Sequence, residues 1–296
     1  MRRAQANGLL LLAALLWGAG NVAQKTVLED IGPFTAVGLR CLIAALVLVP
    51  FFAPAIASPK AGEIKCAAMV IATFAVAVTL YQMASGLTTV TNTGFLVNTS
   101  TVITPIAAWL LLRLRTGYMV WPAAGLTLLG AFMMSGEIFV RLNPGDALAI
   151  AAAFFYSLWM IYLGQFVTRH GHAGLITLAQ FALTGLACLA IGLNFEPVSI
   201  AGLRAAVPEL LMLGVVSTGM GYLLQAIAQG YTSASEAAVI VSGEAIFGAL
   251  CAFILLGETL NNYGLIGAAL IIGGIVTMQF QRFTLYPSLH SKGEQS

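Results

Sequence analysis

The chain has 296 residues, of which 59% are hydrophobic and only 8% are charged, whereas soluble globular proteins contain about 25% charged residues. Its formal net charge is +2, so the charge balance gives no indication of a nucleic-acid partner. This composition excludes an ordinary soluble domain and predicts a protein that crosses a membrane many times.

An α-helix needs about 20 apolar residues to cross the hydrocarbon of a bilayer. The first apolar segment follows Arg2 and Arg3, as in a secretory signal, but it continues to Val27 without a cleavage site, so we interpret it as a retained span. We predict an all-α membrane protein with ten transmembrane helices, at approximately 8–28, 33–53, 65–84, 91–112, 118–136, 146–167, 174–193, 208–229, 234–256 and 261–281.

The first two spans contain polar groups far from the membrane surface. Trp17, Asn21 and Gln24 share one face near the centre of the first helix, and Arg40 lies about two turns inside the second. Intramembrane arginine is rare, and tryptophan normally lies at the interfaces. We expect Trp17 and Asn21 to line a cavity. Arg40 either binds a substrate carboxylate with its guanidinium fork or pairs with a group of the protein.

The third and fourth spans contain two further candidate substrate contacts, Tyr81 and Asn98. Tyr81 lies near the outer end of its span, where it forms part of a gate or of the interfacial aromatic belt. Asn98 shares a face with Thr101 and Pro105. Because proline frees a backbone carbonyl, this face is either a gating bend or a polar contact between helices.

Aromatic residues recur in the second part of the chain. Tyr156 and Trp159 lie three positions apart on the sixth span, where they either pack in the core or, with Trp17, enclose the side chain of a substrate. Tyr222 and Gln225 lie toward the inner end of the eighth span. For this pair, as for Tyr81 and Gln82, a place in the interfacial belt is favoured over a gate.

The ninth span contains one charge, Glu244, about ten residues from its start. A charged side chain at mid-bilayer costs roughly 2.5–3.5 kcal/mol even on the mildest insertion scales. Glu244 is therefore a candidate for proton coupling or for contact with a substrate ammonium group. The alternative is a buried, hydrogen-bonded carboxyl that holds helices together.

Lys and Arg residues set the orientation, because cytoplasmic loops are enriched in them. With the N-terminus inside, nine of them lie on the inner side and three on the outer side, when Arg40 is left out. The inner set is Arg2, Arg3, Lys60, Lys65, Arg113, Arg115, Arg169, Arg282 and Lys292, and the outer set is Lys25, Arg141 and Arg204. We therefore expect both termini in the cytoplasm, the last one as a tail over residues 284–296.

The chain also repeats itself weakly. When it is shifted by 144 positions, residues 86–97 align with residues 230–241, and a shift of 142 places Trp17 over Trp159. We predict two halves of five spans each, 1–140 and 145–283. Because five is odd, the halves must have opposite orientations. Such inverted repeats are typical of secondary transporters, whose substrate site lies near the midplane between the halves.

These features resemble the EamA family of ten-span exporters in the drug/metabolite transporter superfamily. The likeness rests on Leu15-Leu16-Trp17-Gly18, on Arg40, on the ninth span, which ends in Leu255-Leu256-Gly257-Glu258, and on the glycines of the tenth span. Two positions depart from the family pattern. Ala245 stands where proline is usual, and Arg113-Leu114-Arg115 replaces an expected Gly-Glu.

The resemblance implies a secondary transporter in the bacterial inner membrane that exports small amphipathic metabolites by alternating access. Among its substrates we expect amino acids first, including aromatic ones, with cationic drugs or purines as the alternative. The sequence contains no motif of a hydrolytic or metal-dependent enzyme, and its four cysteines form no C-x-x-C pair. We thus predict no catalysis, metal or cofactor. The expected partners are a small molecule and the lipid bilayer, with a monomer as the simplest assembly.

Overall fold

A computed structural model describes residues 1–52, 61–114, 116–135, 143–256 and 260–280, which are almost entirely helical. The helices are α1 (Arg3–Asp30), α2 (Pro33–Phe52), α3 (Ala61–Leu87), α4 (Val90–Asn98), α5 (Ser100–Leu112), α6 (Val120–Ser135), α7 (Pro144–His170), α8 (Ala173–Phe195), α9 (Ile200–Ala205), α10 (Val207–Leu211), a π-helix (Met212–Gly221), α11 (Tyr222–Gln229), α12 (Ala234–Val241), α13 (Glu244–Leu256) and α14 (Asn262–Gln279).

These helices form the predicted membrane bundle. Within the described ranges, nine helical segments are long and apolar enough to cross a bilayer, and the shorter apolar helix α6 occupies the place of the fifth predicted span. Large apolar side chains such as Leu46, Phe253 and Ile254 are exposed on the outside of the bundle, whereas Gln82, Gln180 and Gln225 are fully buried. An apolar outside and polar groups within are expected when the solvent is lipid. The all-α fold and the order of the spans are therefore confirmed.

Some predicted features lie outside the described residues. They include the end of the ninth-span motif at Gly257 and Glu258, the end of the first half at residue 140, and the tail at 284–296. The same holds for Lys60, Arg115, Arg141, Arg282 and Lys292, which contributed to the expected orientation.

The fourth and ninth spans are both broken near their middle. The fourth changes from α4 to α5 at Thr99, whose hydroxyl donates to the carbonyl of Leu96 at 2.6 Å. The ninth changes from α12 to α13 at Ser242 and Gly243, and the hydroxyl of Ser242 donates to the carbonyl of Val239 at 2.6 Å. Side-chain bonds of this kind compete with the helical backbone bonds. The ninth span is thus interrupted without the proline that its family pattern would supply.

The two broken spans correspond position by position. Thr89 and Ser233, which are 144 residues apart, cap the first pieces by accepting from backbone N–H groups three residues on. Ser100 and Glu244, also 144 residues apart, each begin the second piece. The separation equals the shift found in the sequence.

Glycines allow the closest helix contacts. A Cβ atom on Gly130 of α6 would lie 2.5 Å from the carbonyl oxygen of Gly267 in α14, and the reverse holds for Gly267. A Cβ on Gly38 of α2 would lie 2.6 Å from the backbone nitrogen of Leu189 in α8. Backbones can approach this closely only where the side chain is absent. The close contacts of α6 with α14 and of α2 with α8 therefore depend on glycine.

Gly18 offers a direct test of this packing. A Cβ there would lie 2.6 Å from the backbone nitrogen of Gly248 in α13, while nothing lies within 4 Å of a Cβ on Gly8 in the same helix. Overpacking costs typically about 1–3 kcal/mol, whereas alanine is otherwise favoured over glycine in a helix by roughly 0.5–1 kcal/mol. We expect Gly18→Ala to lower the melting temperature in detergent and Gly8→Ala to leave it unchanged or raise it. Equal melting temperatures would contradict a tight α1–α13 contact.

Polar contacts join helix ends from different parts of the chain. At the end of the bundle that contains the N-terminus, Arg3 Nη2 lies 2.5 Å from Glu236 Oε1 and His170 Nδ1 lies 3.3 Å from Glu63 Oε1. At the opposite end, the Glu196 carboxylate accepts from the backbone N–H groups of Phe34 and Thr35, both at 2.8 Å. These contacts connect the first five spans to the last five at both ends.

Candidate functional site

A cavity of about 70 Å³ lies within the bundle and is bordered by both pieces of each broken span. The remaining wall comes from α1, α2, α3, α7, the π-helix and α11. All eight side chains that the sequence predicts as substrate contacts border this one cavity: Trp17, Asn21, Arg40, Tyr81, Asn98, Tyr156, Trp159 and Glu244. The structure brings them together, and their binding of a substrate remains a prediction.

The wall repeats the 144-residue correspondence of the two broken spans. Val97 and Val241 both border the cavity and are 144 residues apart, as are Ser100 and Glu244. Each of these pairs takes one residue from each broken span. The cavity therefore lies between the two breaks, and its two sides differ in charge because a serine on one side corresponds to a carboxyl group on the other.

Tyr222 is the centre of the aromatic wall. Its ring centroid lies 4.9 Å from that of Trp17 and 5.3 Å from that of Trp159, and its hydroxyl is hydrogen-bonded to that of Tyr156 at 2.9 Å. Tyr81 extends the wall, with its ring 6.1 Å from that of Tyr156. Rings at such distances interact favourably at their edges and faces.

The expected place in the interfacial belt is wrong for Tyr81 and Gln82, since Tyr81 borders the cavity and Gln82 is fully buried. It is also wrong for Tyr222 and Gln225, because both are buried and border the cavity. They lie three residues apart on α11 and therefore face the same way. Their distance from the span's end suggested a surface position, but the ten-residue π-helix before α11 changes the helical register. No sequence motif marks that π-helix, although Gln225 is itself a polar residue in an apolar span.

Both indole rings of the cavity are held by hydrogen bonds to the protein. Trp17 Nε1 donates to the carbonyl of Ser217 in the π-helix at 3.0 Å, and Trp159 Nε1 donates to Gln180 Oε1 at 3.0 Å. Gly221 makes room for Trp17, since a Cβ there would lie 2.5 Å from the indole nitrogen. With their N–H groups already used, the two rings can offer a ligand only their apolar surface.

Arg40 is 3% exposed and has no carboxylate within ion-pair distance in the part of the chain that the structure describes. Its Nη1 donates to Gln24 Oε1. Gln24 Nε2 in turn donates to Gln82 Oε1 at 2.6 Å, and Gln82 Nε2 donates to the Gln24 carbonyl at 2.9 Å. Arg40 Nε has no hydrogen-bond partner in the same part of the chain. The guanidinium group is thus positioned by Gln24, which Gln82 holds in place, and the described residues provide no counter-ion for its charge.

Glu244 is the first residue of α13, and it borders the cavity together with Asn21 of α1. The free N–H groups of a helix start favour a negative charge nearby, whereas burial away from water favours the neutral form. No cationic side chain lies within ion-pair distance of Glu244 among the described residues. Arg40 and Glu244 therefore border the same cavity without forming an ion pair.

Comparisons with known proteins agree with this architecture. The model of the EamA-like transporter family matches residues 5–136 and 143–280. Two uncharacterised transporters of Archaeoglobus fulgidus are similar along most of their length. The first is 27% identical over 92% of this chain and 85% of its own. The second is 25% identical over 90% of this chain and 94% of its own. A crystal structure superimposes with a TM-score of 0.78 over 94% of this chain and 97% of that one, at 16% identity, which supports the fold alone.

Proposed function

The chain belongs to the EamA-like transporter family, and we propose that it exports amino acids, aromatic ones included, through the cavity between the two broken spans. It is a multi-pass membrane protein of a transporter family, and we place it in the inner membrane of a bacterium, with both termini in the cytoplasm and a monomer as the working unit. Residues 1–140 and 145–283 would form the two inverted halves.

The observation that favours amino acids is the distribution of charge around the cavity. Among the residues that the structure describes, Arg40 has no carboxylate partner and Glu244 has no cationic partner. An amino acid would supply both missing charges, its carboxylate to Arg40 and its ammonium group to Glu244 and Asn21. Hydrogen bonds between charged groups are roughly twice as strong as neutral ones, so a zwitterion is the complementary ligand.

The helix breaks add to this polarity. The helix α5 begins at Ser100 without an acidic residue in its first turn, so the partial positive charge of its N-terminus would favour a substrate carboxylate nearby. In α13, Glu244 occupies the corresponding position. Discontinuous helices of this kind bind charged substrate groups near the midplane in many transporters. The rings of Trp17, Tyr81 and Trp159 would then enclose the apolar side chain of the substrate.

Transport would follow from alternating access of this cavity to the two sides of the membrane. The two halves would meet through close glycine contacts such as that of Gly130 with Gly267, and they would move relative to each other at these contacts. The chain has no nucleotide-binding motif, so gradients of the substrate or of protons would drive the flux. Glu244 is the residue that we assign to proton coupling.

Organic cations are a second candidate class of substrate. Glu244 lies in a cavity with five aromatic side chains and has no cationic partner among the described residues, and aromatic faces attract cations. The positive charge of Arg40 in the same wall opposes this class, because it would repel a ligand without a carboxylate. Purines would stack on the aromatic rings but would pair with neither Arg40 nor Glu244.

Flux into liposomes that contain the purified protein distinguishes these classes. The panel is labelled tyrosine, tryptophan, phenylalanine, a quaternary ammonium cation and adenine, each with and without an imposed pH gradient. We expect saturable flux of the amino acids that liposomes without protein lack, and a response to the gradient if protons are coupled. Flux of the cation or adenine alone would contradict the proposal and reassign the cavity to that class.

A further inference from the structure

Gln225 is the one fully buried side chain of the cavity wall whose polar atoms both lack a partner among the described residues. Neither its Nε2 nor its Oε1 has a hydrogen-bond partner there. By contrast, both ends of the buried amides of Gln24 and Gln82 are paired. Gln24 Nε2 donates to Gln82 Oε1, Gln24 Oε1 accepts from Arg40, and Gln82 Nε2 donates to the backbone carbonyl of Gln24. An unpaired buried amide costs stability, so its presence beside a cavity needs an explanation.

A purely structural role does not explain Gln225. A structural glutamine of this bundle makes at least one hydrogen bond, as Gln229 does by donating to the carbonyl of Met160 at 3.0 Å. Gln225 makes none with the described residues, and methionine, of similar length and shape, would remove the unsatisfied groups. Residues that lower stability in this way are typical of functional sites.

The surroundings of Gln225 indicate what its amide would bind. Tyr222 lies one helical turn before it on the same face of α11, and the ring of Tyr222 contacts those of Trp17 and Trp159. An amide group next to an aromatic wall is complementary to a flat ring with a polar edge. The indole N–H groups of the wall are already bonded to the protein, whereas the amide of Gln225 has both polar atoms available to hydrogen-bond that edge.

We propose that Gln225 selects substrates whose aromatic side chain has a hydrogen-bonding group, with tyrosine favoured over phenylalanine. This inference rests on the proposed function and adds the specificity of the same cavity. A phenolic hydroxyl can accept from Nε2 and donate to Oε1, so it satisfies both atoms. A phenyl ring leaves both unpaired. Sites built to bond a substrate hydroxyl reject the analogue without it far more strongly than apolar pockets reject an added group.

The test compares tyrosine and phenylalanine, which differ by one hydroxyl group, in proteoliposomes with wild-type protein, Gln225→Met and Gln229→Met. We expect the wild type to prefer tyrosine in kcat/KM by about tenfold or more, and Gln225→Met to reduce this ratio to about one. Gln229→Met is the matched control, because Gln229 is fully buried on the same helix but does not border the cavity. It is expected to keep the wild-type ratio.

Stability provides a second measurement. Because Gln225→Met removes two unpaired buried atoms, its melting temperature is expected to equal or exceed that of the wild type. In the wild type, tyrosine is expected to raise the melting temperature more than phenylalanine does at the same concentration. An unchanged transport ratio in Gln225→Met, or a wild type that does not discriminate the two substrates, would overturn the inference and leave amino-acid export intact. Absence of flux for both would instead refute the proposed function.

Discussion

Replacing Glu244 by glutamine is expected to abolish the response of amino-acid flux to an imposed pH gradient and to reduce substrate affinity. A hydrogen bond to a charged group contributes about 1.5–3 kcal/mol, so loss of the contact with a substrate ammonium group corresponds to roughly a ten- to hundredfold rise in KM. Glutamine has nearly the shape of the original side chain and fits the same place in the cavity wall. The variant is therefore expected to fold and insert normally.

The Glu244→Gln experiment measures initial flux in proteoliposomes as the internal and external pH are varied separately. The neutral amide neither takes up nor releases a proton, so its flux should follow the substrate gradient alone. Glu29→Gln is the matched control, since Glu29 is exposed at the end of α1, remote from the cavity wall. A Glu244→Gln protein with wild-type pH dependence would refute the coupling role and leave Glu244 as a packing group.

Removing the guanidinium group of Arg40 is expected to weaken binding of the substrate carboxylate, with a rise in KM of similar size to that expected for Glu244→Gln. Arg40→Met should raise KM for amino acids by about a hundredfold, whereas Arg40→Lys, which keeps the charge without the planar fork, should raise it by about tenfold. Both changes also leave Gln24 Oε1 with an altered or missing donor. Some loss of stability is therefore expected beside the loss of binding.

Substrate choice separates recognition by Arg40 from this structural effect. The wild type is expected to transport tyrosine and to reject the corresponding amine, which lacks the carboxylate, whereas Arg40→Met should no longer discriminate the two. Arg204→Met, at an exposed arginine of α9, is the control for removal of a positive charge. If Arg40→Met still transports tyrosine and rejects the amine, the carboxylate is bound elsewhere, whatever the change in stability.

The membrane bundle could be predicted from the sequence because exposing polar groups to lipid is costly. Each span must therefore be an apolar segment of about the bilayer's thickness, and such segments can be counted. The same argument identified Trp17, Arg40 and Glu244, since polar or amphipathic groups in mid-span are expensive unless they face a cavity. The likeness of residues 86–97 to residues 230–241 also pointed to the segments that contain the start of each broken span.

Details of register and packing could not be predicted in this way. The break at Ser242 and Gly243 occurs without proline, and the π-helix before Tyr222 has no recognisable motif. The break is accompanied by a local bond from Ser242 to the carbonyl of Val239, and the π-helix accepts a bond from the distant Trp17 at the carbonyl of Ser217. Tyr222 and Gln225 were for this reason assigned to the interface, although α11 turns them toward the cavity. That Arg40 and Glu244 border one cavity likewise follows only from the packing.

The measurement that tests the central claim most directly is substrate protection of a thiol introduced into the cavity wall. Val97→Cys is a small change at a half-buried residue of the wall, and none of the four native cysteines borders the cavity. Cys41, Cys188 and Cys251 would be replaced, and the half-buried Cys66 would remain as an internal control. We expect saturating tyrosine to slow the reaction of the introduced thiol with a thiosulfonate reagent and to leave that of Cys66 unchanged. Equal labelling of the introduced thiol with and without tyrosine, in protein that still transports it, would contradict binding between the two helix breaks.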